Sequence, residues 1–394
     1  MEGPGERLRI GVSGSYGGLN MGDEAILHAI VAQVRASLRA ELTVYTRDSA
    51  DTLRRHRVER AVVIRDLPRD DARREIARLD LLILGGGGIL FDGEAERFLR
   101  EVQLAHELGV PVVVYAVSVG PLAGQANREA VREALDRAAV LTVRDRQSKR
   151  LLEEVGVRAE VELTADPALL LEPEALPDDT AAELQALDRE RCLVAFSVRE
   201  PGPAAPDLDV DHYHALLANA ADFVADRLDA QVVFVPMERH NEDLQHSHGV
   251  VARMRLAERA HVLKRDYTPG QLLTLVGRTG FAVGMRLHFL IFALLQGVPF
   301  VALPYASKVR GLVEELQLPA PPLEQTSVGR LLATIDRTWD HREALRARLG
   351  AGREELRARA RRTHARLLEL VRRRGLGGQT DLLAEPDAAR LQPG

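Results

Sequence analysis

LDLLILGGGGILFDG, residues 79–93, decides the fold. The run Leu81–Leu84 reads as a buried strand, the glycines follow its carboxyl end, and a helix is expected from about Glu94. Four consecutive glycines remove every Cβ from one wall, which costs chain entropy and is useful where a ligand or another backbone comes close. Outward from there the same unit recurs. LRIGVSG precedes a helix from about Gly22, and ELTVYT, PVVVYAVSVG and AVLTVRD complete the first half. Strand followed by helix, repeated, predicts a parallel sheet with helices on both faces. A proline- and acid-rich stretch, residues 172–190, interrupts the pattern before RCLVAFSV, AQVVFVP, AHVLKR, TGFAVGM and VPFVALPY resume it. The expected fold class is therefore α/β, two Rossmann-like doubly wound domains facing a central cleft. Their expected bounds are 1–175 and 191–326, joined by a linker at 176–190. An arginine-rich helical region, 327–374, and a mobile tail, 375–394, follow.

The 394 residues exceed one ordinary core and suit two. A formal net charge of −5, from 53 basic and 58 acidic residues, with only 4% aromatics, excludes the basic, aromatic surface expected of a nucleic-acid binder. Glu354, Glu355 and Glu369 make the arginine-rich helix a solvated face rather than a nucleic-acid site. The single cysteine, Cys192, excludes an intramolecular disulfide and a cysteine metal cluster, and its apolar surroundings place it in a core. No run approaches the ~20 apolar residues of a membrane span, and the first nine residues lack a signal-peptide core, so a cytoplasmic protein is expected. Contact of the arginine-rich helix with the inner membrane face and a homo-oligomer both stay open.

Four segments carry candidate chemistry. GSYGGLNMGDEAIL, Gly14–Leu27, turns strand one into helix one without the G-x-G-x-x-G spacing of a dinucleotide site. Gly17, Gly18 and Asn20 can approach a ligand there, while Asp23 either serves a ligand or favours the helix start. In the glycine run, Gly86 and Gly87 either line a ligand or pack against the first loop, and Asp92 either meets a sugar hydroxyl or caps a helix. Arg144, ending an apolar strand, either grips a carboxylate or phosphate or, with Asp145, fixes the turn; Asp166 either forms a turn or takes a direct role. The fourth segment, Gly284–Leu316, is the most telling. Arg286 and His288 open the helix FLIFALL, apolar enough to be buried, which makes its polar start an anion site. Lys308 is one of only three lysines, with Lys149 and Lys264, in a chain that otherwise uses arginine. After the strand AQVVFVP come Glu238, His240, Asp243, His246 and His248, which lack metal-ligand spacing and read as solvated loop and helix; no metal is expected.

YGGLNMGDEAIL, GGGGILFD, YAVSVGPL, VRD, TADP and MRLHFLIFALLQGVPFVALPYASKV together resemble, in order and spacing, the polysaccharide pyruvyl transferase family. The likeness spans about Ile10 to Leu318 and is nearest to the bacterial branch that pyruvylates the cell-wall polymer anchoring S-layer proteins. It implies a GT-B-like fold with a C-terminal crossing helix. It also implies phosphoenolpyruvate as donor substrate with no cofactor, held by Arg144, Arg286, His288 and Lys308. His288 would be the general acid, with Arg286 and Asp23 as further catalytic residues. The acceptor, by resemblance N-acetylmannosamine in a lipid-linked saccharide that takes a 4,6-linked ketal, would meet Gly17, Gly18, Asn20, Asp23, Gly86, Gly87 and Asp92. Ser118 departs from the commonest family pattern, which puts acceptor contacts in question more than the chemistry. A nucleotide-sugar glycosyltransferase and a non-catalytic binding module are the alternatives on this architecture.

Overall fold

A computed structural model describes residues 7–200, 209–238, 243–318 and 325–376. They divide into two compact units: residues 7–18, 26–170 and 358–376 form the first, and 19–25 and 171–357 the second. The expected mobile tail lies, beyond residue 376, outside the described residues. Among the described residues no helix is long and apolar enough to cross a membrane.

In the first unit the order is β1 (Leu8–Ser13), α1 (Met21–Ser37), β2 (Ala40–Tyr45), α2 (Ser49–Arg55), β3 (Arg60–Val62), α3 (Arg69–Ile76), β4 (Leu81–Leu84), β5 (Gly87–Leu90), α4 (Ala95–Glu107), β6 (Val112–Val119), α5 (Gln125–Leu135), β7 (Val140–Val143), α6 (Arg146–Val155) and β8 (Glu162–Leu163). The first residues of α1 belong to the second unit. The sheet is parallel in the order β3-β2-β1-β4-β6-β7-β8, with β5 paired to β6. Its strands are near-continuous apolar runs because both faces are covered; Leu82 and Leu84 join Phe98, Leu99 and Val102 of α4 and Val114 of β6 in one core. The order reverses at β1/β4, so the loops after these strands flank the position where open α/β sheets bind ligands.

Part of the glycine run is strand. Gly87 and Gly88 open β5, opposite Val117 and Ser118 of β6. This follows from a bulge at Ala116, a non-glycine residue at φ 51°, where β6 shifts register against β7. The Ala116 N–H donates to Thr142 Oγ1 at 2.8 Å, and that hydroxyl donates to the Val114 carbonyl at 3.0 Å. The bulge ends the β4 pairing and lets the rest of β6 pair with β5.

In the second unit follow α7 (Asp178–Glu190), β9 (Cys192–Ser197), α8 (Val210–Arg227), β10 (Ala230–Phe234), α9 (Asp243–Val251), β11 (Ala260–Val262), α10 (Pro269–Gly277), β12 (Phe281–Gly284), α11 (Leu287–Leu295), β13 (Phe300–Ala302), α12 (Ser307–Glu315), α13 (Val328–Asp340) and α14 (Arg342–Arg374), the last passing to the first unit at residue 358. The parallel order is β11-β10-β9-β12-β13, reversing at β9/β12. The stretch expected as linker at 176–190 is mostly α7. Its Pro177 occupies the N-cap position and Asp178 and Asp179 the first turn, where proline and acid start a helix rather than prevent one. Cys192 is half-buried at the start of β9, not in the core. α11 is buried at every position but His288, as an all-apolar helix must be.

Candidate active site

In the second unit, Gly284 at the end of β12 lies in register with Ser197 of β9 and Ala302 of β13. The residues just beyond these three strand ends therefore share one edge: Arg199, then Arg286 and His288, then Tyr305 and Lys308. Arg286 is buried, and its charge is already balanced. Its Nε donates to Asp243 Oδ2 at 3.0 Å, its Nη2 to Glu238 Oε2 at 3.0 Å, and Nη2 reaches Asp243 Oδ1 as well. Burial alone would lower the Arg286 pKa, but Asp243 and Glu238 outweigh it and hold the guanidinium above its ordinary value. Burial pushes the Asp243 carboxyl up, against Arg286 and the N–H groups of Met237 and Glu238, which donate to it at 3.0 and 3.1 Å. Arg286 was expected to bind the donor's anions. The structure instead makes it the keystone fastening the start of α11 to the loop after β10.

Two further expectations change here. Asp243 is fully buried and His246 nearly so, not solvated; His246 Nδ1 lies 2.8 Å from the Tyr213 hydroxyl and 2.9 Å from His214 Nε2. His240 lies outside the described residues. Among the described residues no group of three or more His, Cys, Asp or Glu is placed to hold a metal.

The loop after β10 also receives the start of α1. The Met21 N–H donates to the Met237 carbonyl at 2.8 Å, Asn20 bridges Glu238, and the Asn20 side chain accepts from the Gly22 N–H at 3.0 Å. Gly22 lies against His288: a Cβ there would stand 1.9 Å from Nδ1. Asn20, Asp23 and His288, all half-buried, are thereby gathered with Arg286 in one unit. Sequence reading named these four but missed Glu238 and Asp243 as their brace, although a buried arginine at a strand end needs carboxylates.

The first unit holds the remaining candidates. Tyr16, fully buried, fills the β1/β4 switch point; a Cβ on Gly14 would meet its ring at 2.5 Å, and one on Gly85 its hydroxyl at 1.9 Å. Beneath it, Arg65 donates to the Gly14 carbonyl at 3.2 Å and to Ser13 Oγ at 3.1 Å, and Ser13 donates to buried Glu101 at 3.2 Å. Gly17, at φ 70°, would set a Cβ 2.2 Å from Thr46 Oγ1, and Gly86 is closed in by Ile26 and the Tyr115 and Ala116 carbonyls. Gly87 stands at φ 106°. Packing and backbone conformation thus require these three glycines, whereas a Cβ on Gly18 would meet only the mobile end of Arg47. Asp92 ties down the turn ahead of α5, accepting from Ala123 N–H at 2.6 Å, Gly124 N–H at 3.4 Å and Asn127 Nδ2 at 2.7 Å.

Arg144 is buried at the end of β7, its Nη1 2.6 Å from Asp166 Oδ2, with exposed Gly88 beside Nη2. Asp166 also accepts from the Ala168 N–H, forming the turn. Asp145 caps α6 through the Ser148 N–H and accepts from Ser118 Oγ at 2.7 Å, so the Ser118 hydroxyl serves this turn.

Two parallel sheets, each doubly wound, with candidate residues at their carboxyl edges, define the GT-B architecture of sugar-nucleotide transferases and epimerases. S. aureus MnaA with UDP superposes at a TM-score of 0.64 with 11% identity, over 94% of this chain and 97% of that one. HepE of Anabaena with UDP and glucose gives 0.62 with 14% identity, over 93% and 100%. UDP-GlcNAc 2-epimerase from Neisseria meningitidis gives 0.60 with 12%, over 92% and 99%. At such identities the likeness is one of fold alone. The sequence is more specific: residues 20–307 match the polysaccharide pyruvyl transferase family, and the chain belongs to that family of transferases. A relative, the amylovoran biosynthesis protein AmsJ of Erwinia amylovora, is 22% identical over 314 residues, 75% of this chain and 74% of its own.

Proposed function

We propose that this protein transfers the enolpyruvyl group of phosphoenolpyruvate to a sugar of a lipid-linked cell-wall precursor, forming a cyclic pyruvate ketal and releasing phosphate. Family membership supports pyruvyl transfer, and a relative named for amylovoran biosynthesis supports a polysaccharide as its destination. The resemblance to the S-layer-polymer branch supports N-acetylmannosamine as the sugar. The observation that carries the reading is His288, packed on Gly22 beside Asn20 and Asp23 and braced through Arg286, in the unit that also bears Lys308.

Ketal formation adds a proton to the methylene carbon, and a sugar hydroxyl then bonds to the adjacent carbon as its own proton departs. The bond from that carbon to the phosphate oxygen breaks, and a second hydroxyl closes the ring, its proton balancing the departing phosphate. His288 supplies the first proton, Asp23 accepts from the attacking hydroxyl, and Lys308 meets the donor's anionic groups. Arg286 positions His288. The test is phosphate release from phosphoenolpyruvate with a lipid-linked mannosaminyl saccharide, for wild type and His288→Gln. Loss of about 100-fold or more in kcat with donor binding retained is expected. A His288→Gln rate within about threefold of wild type would remove the assignment, and cleavage of a nucleotide sugar without phosphoenolpyruvate would replace pyruvyl transfer by glycosyl transfer.

A further inference from the structure

We propose that Arg199 binds an oxyanion, a phosphate or carboxylate group, beside Lys308 at the carboxyl edge of the second sheet, and that Tyr305 is its positioning residue. Charge balance singles these residues out. Arg286 at the same edge is neutralised by Glu238 and Asp243, and Arg144 of the first unit by Asp166. Among the described residues neither Arg199 nor Lys308 forms an ion pair: Arg199 meets a carbonyl and a phenol, and Lys308 acts on that same phenol. Two cations without a carboxylate partner among the described residues, in a chain with a net negative charge, favour an anion from outside.

The arginine is also built into place. The Tyr213 hydroxyl donates to its carbonyl at 2.9 Å. Its guanidinium lies 4.6 Å from the Tyr305 ring centre, its Nη1 donates to the Tyr305 hydroxyl at 2.6 Å, and its Nε donates to the Glu200 carbonyl at 2.6 Å. Those bonds commit two of a guanidinium's five N–H donors and leave a fork suited to paired oxygens. Register fixes the location. Ser197, Gly284 and Ala302 are aligned, so Arg199 and Tyr305 lie just past the ends of β9 and β13 on either side of β12, which leads into Arg286 and His288.

Tyr305 brings a signature of its own. Burial pushes its phenol up, but Lys308 of α12, Arg199 after β9 and Arg286 after β12 outweigh burial and bring it below its ordinary value. Glu238 and Asp243 face this group through Arg286. A phenolate formed there cancels part of the positive charge, so anion binding weakens as pH rises through that titration.

The identity of the anion as the donor's rests on the pyruvyl-transfer reading, whereas the site does not. Calorimetric titration of the full chain with inorganic phosphate and, separately, with phosphoenolpyruvate tests both. Wild type should bind each, Arg199→Gln about tenfold or more weakly, Arg199→Lys in between, and Tyr305→Phe a few-fold more weakly. Tyr305→Phe should also carry the alkaline loss of binding to higher pH, which a merely structural ring would not do. Thermal unfolding confirms that each variant is folded. Arg199→Gln binding phosphate as tightly as wild type overturns the site, as does a wild type that binds neither anion. An unchanged alkaline profile in Tyr305→Phe overturns the role given to Tyr305. Arg199-dependent binding of phosphate without binding of phosphoenolpyruvate leaves the site standing and overturns the donor reading.

Discussion

Gly22→Ala should disable the enzyme without unfolding it. A Cβ at residue 22 would stand 1.9 Å from His288 Nδ1 and 2.5 Å from its Cγ, where ordinary contact begins at 3.4 Å, so the imidazole must retreat by about 1.5 Å. The backbone has no objection: Gly22 is helical, the second residue of α1, and alanine there changes helix stability by less than the gain of about 1 kcal/mol it brings in a helix interior. Displacing a reacting group by about 1 Å costs on the order of 100-fold in rate, about 2.7 kcal/mol of barrier. The assay pairs the kcat of phosphoenolpyruvate-dependent phosphate release with a urea unfolding curve. The expected result is a fall of about 100-fold or more in kcat while stability moves by no more than about 1 kcal/mol. A kcat within about threefold of wild type would refute the reasoning, because the displaced ring would then have no part in the rate.

Three further outcomes follow from the interior. Asp243→Asn removes the main charge partner of buried Arg286 and should cost about 3–5 kcal/mol in urea unfolding, with a matching loss of activity, since α11 then loses its anchor. His364, which meets Ser37 Oγ at 2.7 Å, is brought by burial to about 4 from an ordinary 6.5. Its folded pKa is depressed, so its contribution is present above pH 6.5 and is lost as pH falls towards 4. The full effect is about 3 kcal/mol. Melting temperatures across this window should fall less steeply in His364→Gln than in wild type. Phe289→Ala, in the buried face of α11 against Gly284, should cost about 3–5 kcal/mol by the same urea measurement.

Much of this was legible because hydrophobic runs and glycine breaks are local signals. The long buried strands, the apolar helix opening at His288 and the helices after Ser327 could be read directly. Short β3, β5 and β8 could not, since two to four residues carry no period of their own. β5 in particular depends on the Ala116 bulge, a property of β6 and Thr142 far from the glycines in sequence. The glycines at residues 14 and 85 leave room for one tyrosine, Tyr16, which sequence spacing gave no reason to choose. Arg286 and Asp92 show the commonest loss of information: residue type declared a charge, while the partners that use it lie 43 and 31 or more residues away. Arg199 was hidden for the converse reason, standing two residues past an ordinary strand with its meaning set by Tyr305, more than a hundred positions later.

The central claim is that a pyruvyl group passes from phosphoenolpyruvate to a sugar through protonation of the donor's methylene carbon. The most direct measurement is the reaction run in deuterated water with phosphoenolpyruvate and a lipid-linked mannosaminyl acceptor, followed by mass analysis of the released saccharide. The account predicts one pyruvate ketal whose methyl group carries a single solvent deuterium, with one phosphate freed per ketal and both products formed about 100-fold or more slowly by His288→Gln. A ketal without solvent deuterium would contradict the protonation step, and a glycosylated product that forms without phosphoenolpyruvate would contradict the transfer itself.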